Sequence, residues 1–168
     1  MRRALNGLYD GAAWLAALCM IGLLIMVLLS ITGRQLHFHV PGTDAYAGYL
    51  MAGAGFLALA HTLKKGEHIR VTLLLSALTG RAHRGLEIFA LALTTLLAAL
   101  GAWYAVRLVW HSRVLNDIST GTDATPLWIP QLSMAAGSII LLVAFVDELV
   151  LELQGRRHTH AAEAAHNE

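Results

Sequence analysis

Apolar residues fall in four long runs separated by polar stretches: Ala12–Ile31, Ala45–Leu63, Ile88–Val106 and Leu132–Leu151. Each comes close to the roughly 20 residues that cross a hydrocarbon layer of about 30 Å at 1.5 Å per residue. The pattern predicts four membrane-spanning helices. The first run follows Met1-Arg2-Arg3, as a secretion signal would. It is longer than a signal core and lacks a small-residue cleavage site close behind, so it reads as a retained helix. A fifth, shorter element is predicted over residues 69–79, IRVTLLLSALT. There Val71, Leu74, Leu75 and Leu78 recur at helical spacing while Thr72, Ser76 and Thr79 share a polar stripe. At about 16 Å this helix is too short to span and is expected in the membrane interface or against a partner helix. Gly80, followed by Arg81 and Arg84, ends it.

The connectors differ in charge. Arg2 and Arg3, then Lys64, Lys65, Arg70, Arg81 and Arg84, then Arg156 and Arg157 put nine basic residues on one side of the expected bilayer. Arg34, Arg107 and Arg113 leave three on the other. Basic residues near helix ends are retained in the cytoplasm, so both termini and the middle connector are expected there. The first and third connectors, rich in Pro, Gly, Asp, His and Thr, read as turn-rich outer chain. Trp128, and Trp103 with Tyr104, sit where interfacial aromatics belong. The fold class that follows is all-α and integral to the membrane: four spans, a short amphipathic interfacial helix between the second and third, and both termini cytoplasmic. Residues 1–152 form the membrane domain, and residues 153–168 are expected to be a disordered cytoplasmic tail.

Composition agrees. The 168 residues are 57% hydrophobic and only 14% charged, against about 25% charged in soluble domains. A formal net charge of +1 offers no surface for nucleic acid. Cys19 is the single cysteine, which rules out an intrachain disulfide or a paired-thiol site. Because lipid tails are as apolar as leucine, membrane helices associate through small residues that permit close approach. Gly48 with Ala52 and Ala54 with Ala58 in the second run, and Ala98 with Ala102 and Gly101 with Ala105 in the third, are expected to face protein. Leu23–Leu29 is expected to face lipid.

Candidate chemistry is sparse. No span has an ionisable group near its centre; His61, Glu87, Arg107, Asp147 and Glu148 all lie near ends, where side chains can reach the interface. A self-sufficient proton-coupled carrier would want a central carboxylate, which counts against an autonomous small transporter or channel. Nine histidines invite a metal or haem reading, but His37 with His39 and His158 with His160 lack cysteine or carboxylate companions at zinc spacing. His61 and His111 are the only plausible axial pair for a haem-carrying or quinone-associated anchor, and the expected topology puts them on opposite sides. No nucleophile elbow, phosphate loop or paired catalytic carboxylates occur, so neither catalysis nor a cofactor is expected.

The stretch KKGEHIRVTLL directly after the second run, together with four spans, resembles the small membrane subunit of tripartite ATP-independent periplasmic (TRAP) transporters, the DctQ-like family. Members carry a G-x-H-[IV]-x-[VI]-x-L-like segment there, matched by Gly66, His68, Ile69, Val71 and Leu73. An arginine shortly after the first span is matched by Arg34, and a T-P-L-W-I-P-like start to the fourth by Thr125 to Pro130. The resemblance covers roughly residues 8–152. Thr72 stands where many members have aspartate, and PGTDAYAG, with Asp44 as its lone acid, replaces a tryptophan and paired glutamates.

The resemblance implies an inner-membrane scaffold subunit of a sodium-coupled importer of an organic acid such as a carboxylate. Its implied partners are a large membrane subunit, a periplasmic substrate-binding protein and the lipid bilayer, with no substrate contacts on this chain. Gly66, Glu67, His68, Arg70 and Val71 would order the middle connector against the large subunit. Arg34, Asp44, Arg113, Asp117 and Asp123 are the candidate contacts for the binding protein, through charge pairs that speed encounter. Pro126, Trp128 and Pro130 would set the start of the fourth helix.

Overall fold

The computed structural model describes residues 2–38, 40–64, 81–121 and 123–154. Four helices account for most of them: α1 (Arg2–Gln35), α2 (Thr43–Lys64), α3 (Arg81–Val114) and α4 (Trp128–Leu153). Among the described residues there is no strand, only an isolated antiparallel bridge between Ile118 and Pro126. The expected interfacial helix over 69–79, the connector residues Gly66, Glu67, His68, Arg70 and Val71, and the tail from Gly155 lie outside the described residues.

The helices outrun the apolar runs. α1 and α3 each have 34 residues, about 51 Å at 1.5 Å per residue, more than the 40–45 Å of a whole bilayer. Helix continues through the polar ends because Leu5, Leu8 and Tyr9, or Val109, Trp110 and Val114, keep an apolar stripe going at helical spacing. Among the described residues, three helical segments are long and apolar enough to cross a membrane: Leu5–Gln35, Arg84–Val114 and Trp128–Leu153. α2 has the length, with 22 residues, but Gly48, Gly53, Gly55, two tyrosines, His61 and Thr62 dilute its hydropathy.

Helix ends follow from local chemistry. At the C-terminus of α1, His37 takes a left-handed φ of 57° and Phe38 N–H donates to the Gly33 carbonyl at 3.0 Å. α3 ends the same way, with Asn116 at φ 52° and Asp117 N–H bonded to the Ser112 carbonyl at 3.0 Å. Both are Schellman closures that satisfy carbonyls the helix would otherwise orphan. α2 begins after Gly42, at φ 85°, whose carbonyl takes the first helical bond from Tyr46. Asp44 in its first turn complements the positive end of the helix. Pro130 falls in the first turn of α4, where no N–H is needed.

Side by side the helices run in the order α1, α2, α4, α3, and α3 packs on α4 alone. The pairings fix the directions. Tyr9 meets Ala60 and Ala144, Cys19 and Ser133 flank Gly53, Leu50 covers Gly22, and Phe56 lies on Gly137. Arg84 donates to the Leu153 carbonyl at 3.4 Å. Neighbours α1 and α2 are therefore antiparallel, as are α3 and α4, while α2 and α4 run parallel. The starts of α1 and α3 and the ends of α2 and α4, which carry or flank most of the basic residues, gather at one end. The described residues of the connectors, 36–38 with 40–42 and 115–121 with 123–127, lie at the other.

Packing is inverted relative to a soluble protein. Of the buried apolar residues most are alanines: Ala12, Ala16, Ala54, Ala60, Ala102, Ala105, Ala135 and Ala144. The large side chains point out, among them Leu18, Leu24, Ile25, Leu28, Leu96, Leu97 and Leu100. Small inside and large outside is what helix association in lipid requires. Hydroxyls in the helices bond back to their own turn: Thr94 to Ala90, Thr95 to Leu91, Thr62 to Leu59 and Thr32 to Leu28, so they can sit in an apolar zone. The expected packing pairs divide. Ala54, Ala102 and Ala105 are buried, whereas Gly48, Ala52 and Gly101 are exposed. Helix rotation is set by neighbours and not by spacing alone. Leu24, Val27 and Leu28 are exposed, in line with the expected lipid face.

Candidate functional site

The end formed by the two outer connectors holds the densest polar structure among the described residues. Asp123 lies in the α3–α4 loop with its carboxylate turned onto α2. Tyr49 Oη donates to Asp123 Oδ2 at 3.0 Å and Ser119 Oγ donates to Oδ1 at 2.8 Å. Gly121 N–H in turn donates to Ser119 Oγ at 3.2 Å. The Thr125 and Tyr46 hydroxyls are hydrogen-bonded at 3.2 Å, and the Tyr46 and Tyr49 rings meet edge to face at 6.0 Å. Bonding from the Thr125 hydroxyl holds the Asp123 carboxyl down at about 2, helped by Ser119, its own backbone N–H and Tyr49 against an opposing push from desolvation. Gly42 faces this knot so closely that a Cβ there would lie 2.9 Å from Asp123 Cβ.

The loop is closed on itself by Ser119 N–H to the Thr125 carbonyl at 2.9 Å and Leu127 N–H to the Asp117 carbonyl at 3.0 Å. The Arg113 guanidinium lies 5.6 Å from the Trp128 ring centroid, within cation–π range. Leu127 caps α4 without a side-chain bond. Pro126 contributes its carbonyl to Ile129 N–H at 3.2 Å, and the Pro130 carbonyl accepts from Ser133 Oγ at 2.7 Å.

Arg34, Asp44, Arg113, Asp117 and Asp123 thus come together at one end of the array, but in different states. Asp123 and Arg113 are engaged within the chain. Asp44 accepts from Ser30 Oγ at 3.3 Å. Asp117 uses its backbone carbonyl in the loop closure and is half-buried as a residue. Arg34 is exposed and makes no ion pair or hydrogen bond with a described side chain. The residues that tie the loop to α2, namely Gly42, Tyr46, Tyr49 and Ser119, were not singled out by the sequence. Tyr49 and Asp123 are 74 positions apart, and no local spacing announces the pair.

At the opposite end, His61 Nδ1 lies 3.8 Å from Asp10 Oδ1, joining α2 to α1. Tyr9 is buried there within electrostatic reach of Asp147 and Glu148, and Glu152 is only 2% exposed. His111, in the last turn of α3, is at the far end from His61. The two histidines cannot clasp one haem.

Long helices with polar ends, an apolar middle and an inverted core define a helical membrane protein whose chain carries no central charge. The chain belongs to the DctQ family: residues 23–155 match the model described as "Tripartite ATP-independent periplasmic transporters, DctQ component". This is the small component of TRAP transporters and not an enzyme family; it works with a large membrane component, DctM, and a periplasmic binding protein. No curated protein matches the chain.

Proposed function

We propose that the chain is the four-span scaffold subunit of a bacterial inner-membrane importer, sodium-coupled and fed by a binding protein, that takes up an organic acid such as a carboxylate. α2 crosses the bilayer with the other three helices. Its modest hydropathy suits a helix flanked by α1 and α4. Both termini and the 65–80 connector are cytoplasmic by the distribution of basic residues, with residues 69–79 as an interfacial helix. Gly66, Glu67, His68, Arg70 and Val71 hold that connector against the large component. The outer end, with Arg113, Asp117 and the knotted loop around Asp123, receives the binding protein, and Arg34 and Asp44 lie beside that surface. Pro126, Trp128 and Pro130 fix the start of α4 beside it.

The observation that supports a scaffold over a carrier is the apolar middle of the array. From Gly11 to Gly33, Ala45 to Ala60, Ile88 to Val106 and Leu132 to Val146 the helices hold no ionisable side chain except Cys19 and the tyrosines. A coupling ion would find no charge to bind there.

The test is recovery of the complex. Tagged chain co-expressed with a DctM-type component should bring it down as a stable, colourless complex. Sodium-dependent uptake should then require both membrane components and the binding protein. A chain that purifies alone and transports by itself in liposomes, or that carries haem absorbance, would overturn the reading.

A further inference from the structure

At the outer end of the α1–α2 hairpin is a cavity of about 360 Å³, lined by Leu29, Ser30, Arg34, Phe38, Val40 and Asp44 among others. That is at the small end of the roughly 300–1,000 Å³ range of ligand pockets. Its lining is part apolar and part charged. Arg34 and Asp44 face the same space yet form no ion pair with each other. Asp44 keeps one carboxylate oxygen clear of its bond from Ser30. Arg34 has neither an ion-pair nor a hydrogen-bond partner among the described residues.

The depth of the cavity matters. Exposed Leu24, Leu28 and Ile31 mark the lipid-facing stripe of α1 up to its last turn. Arg34 stands three residues beyond Ile31, about 4.5 Å along the axis, close to the end of the apolar stretch Leu5–Gln35. Phe38, 44% exposed, and Leu36, 69% exposed, edge the connector. A cavity at the end of a 31-residue apolar stretch lies where a spanning helix leaves the hydrocarbon and meets headgroups.

We infer that this cavity is a site for a phosphate–ammonium zwitterion, the headgroup of a phosphatidylethanolamine-type lipid. Arg34 takes the phosphate through its planar fork of donors. Asp44 accepts from the primary ammonium, with the Ser30 hydroxyl beside it. The charges of Arg34 and Asp44 cancel, which matches a zwitterion; an anionic headgroup would have to lie against the Asp44 carboxylate. A quaternary ammonium has no N–H to give that carboxylate. The volume admits a headgroup and its glycerol, and the acyl chains run down the exposed stripe of α1. The leaflet follows from the topology proposed above, being the outer one, whereas the site requires only that α1 crosses the membrane.

Full-length chain is purified in detergent, stripped of lipid and titrated under native mass spectrometry with dioleoyl phosphatidylethanolamine, phosphatidylglycerol and phosphatidylcholine. Glycerophosphoethanolamine and inorganic phosphate serve as soluble probes. One equivalent of phosphatidylethanolamine should be retained, at least tenfold better than the other two lipids. Arg34→Ala should weaken it tenfold or more, while Arg107→Ala, which removes an exposed arginine of α3 outside the cavity, should not change it. Asp44→Asn should abolish the preference for phosphatidylethanolamine over phosphatidylglycerol, and decides the matter alone if Arg34→Ala does not fold. Equal binding by Arg34→Ala and wild type would overturn the site. So would a preference for phosphatidylglycerol, or an undiminished preference for phosphatidylethanolamine in Asp44→Asn. Soluble probes that bind as tightly as the lipid would overturn the lipid assignment and leave a free-phosphate site.

Discussion

Gly137→Ala tests the seam between α2 and α4 with a single methyl group. A Cβ at Gly137 would lie 2.5 Å from both the carbonyl carbon and oxygen of Phe56, and 2.8 Å from its Cβ. Ordinary contact begins near 3.4 Å, so the helices must part locally by about 1 Å. A gap of that size forfeits a quarter to a half of each dispersion contact around it. Overpacking costs about 1–3 kcal/mol, and the upper half applies because the obstacle is backbone and cannot swing aside. Alanine's better helix propensity returns about 1 kcal/mol. The net is about 1–2 kcal/mol of destabilisation, a five- to thirtyfold loss in the folding equilibrium. The same change at Gly48, where a Cβ meets nothing within 4 Å, should leave the isolated chain unchanged or up to about 1 kcal/mol more stable. Both variants can be unfolded in detergent by increasing SDS and followed by circular dichroism. Gly137→Ala as stable as wild type, or Gly48→Ala falling as far, would refute the close approach. Adding Phe56→Ala should not rescue Gly137→Ala, because the atoms in the way belong to the backbone and Cβ.

Other consequences follow at the outer end. Asp123→Asn should loosen residues 115–127 at neutral pH, read as faster amide exchange there than in wild type. In wild type the Asp123 carboxyl titrates at about 2, below the ordinary 3.8, so its contribution is complete above about pH 4 and is lost as pH falls through about 2. Loop protection should accordingly be flat from pH 8 to 5; a loss between 7 and 5 would contradict the bonding described. Gly42→Ala forces a Cβ into a left-handed conformation and against Asp123, costing about 1–2 kcal/mol and raising exchange in the same loop. Arg113→Ala should cost about 0.5–1 kcal/mol by removing the stack on Trp128, measured by the same unfolding titration. His68→Ala with Arg70→Ala should halve or worse the recovery of a DctM-type component in the pull-down while leaving unfolding of the isolated chain unchanged.

The apolar runs made the helices legible, because a bilayer demands about 20 apolar residues with no exposed backbone and little else. Their true ends were not legible. Helix extends beyond the lipid wherever an apolar stripe persists, as from Leu5 to Tyr9 and from Val109 to Val114, and two Schellman closures at His37 and Asn116 use residues that no glycine rule would select. Packing faces were legible only in part. Small residues four apart occur on several faces of a membrane helix, and the neighbour decides which one is used. The seam actually uses Gly53 and Gly137; Ser133 and Gly137, four apart on α4, were the available signal. Asp123 could be placed in a turn-rich connector from sequence, but its role could not. Its partners come from α2, Ser119 and Thr125, and only the fold brings Tyr49 to it. The connector that carries the family resemblance lies outside the described residues, so its Gly66–Val71 segment rests on the sequence.

The order α1, α2, α4, α3 makes the array two antiparallel hairpins joined along a single seam. Tyr49 with Asp123, Gly53 with Ser133, Phe56 with Gly137 and Ala60 with Ala144 mark that seam from the outer end to the inner one. α3 reaches α2 nowhere among the described residues, so whatever holds the second hairpin to the first must act through α4 or through a connector. Within lipid the seam has no hydrophobic drive of its own and depends on close contact between small residues. At the end that carries Asp123, a carboxylate bonded by Tyr49 of α2 and Ser119 of its own loop adds what small residues cannot, a fixed register between the two hairpins. Two hairpins held along one seam keep a constant spacing only if the register is set at more than one height. The Asp123 knot sets it at the helix ends and the Gly137 contact sets it midway along the helices, so the two should fail independently: Asp123→Asn should loosen the loop without lowering unfolding resistance as far as Gly137→Ala, and Gly137→Ala should leave the loop protected. Loss of loop protection in Gly137→Ala would mean that the seam is one cooperative unit and that the outer knot has no separate hold on the register.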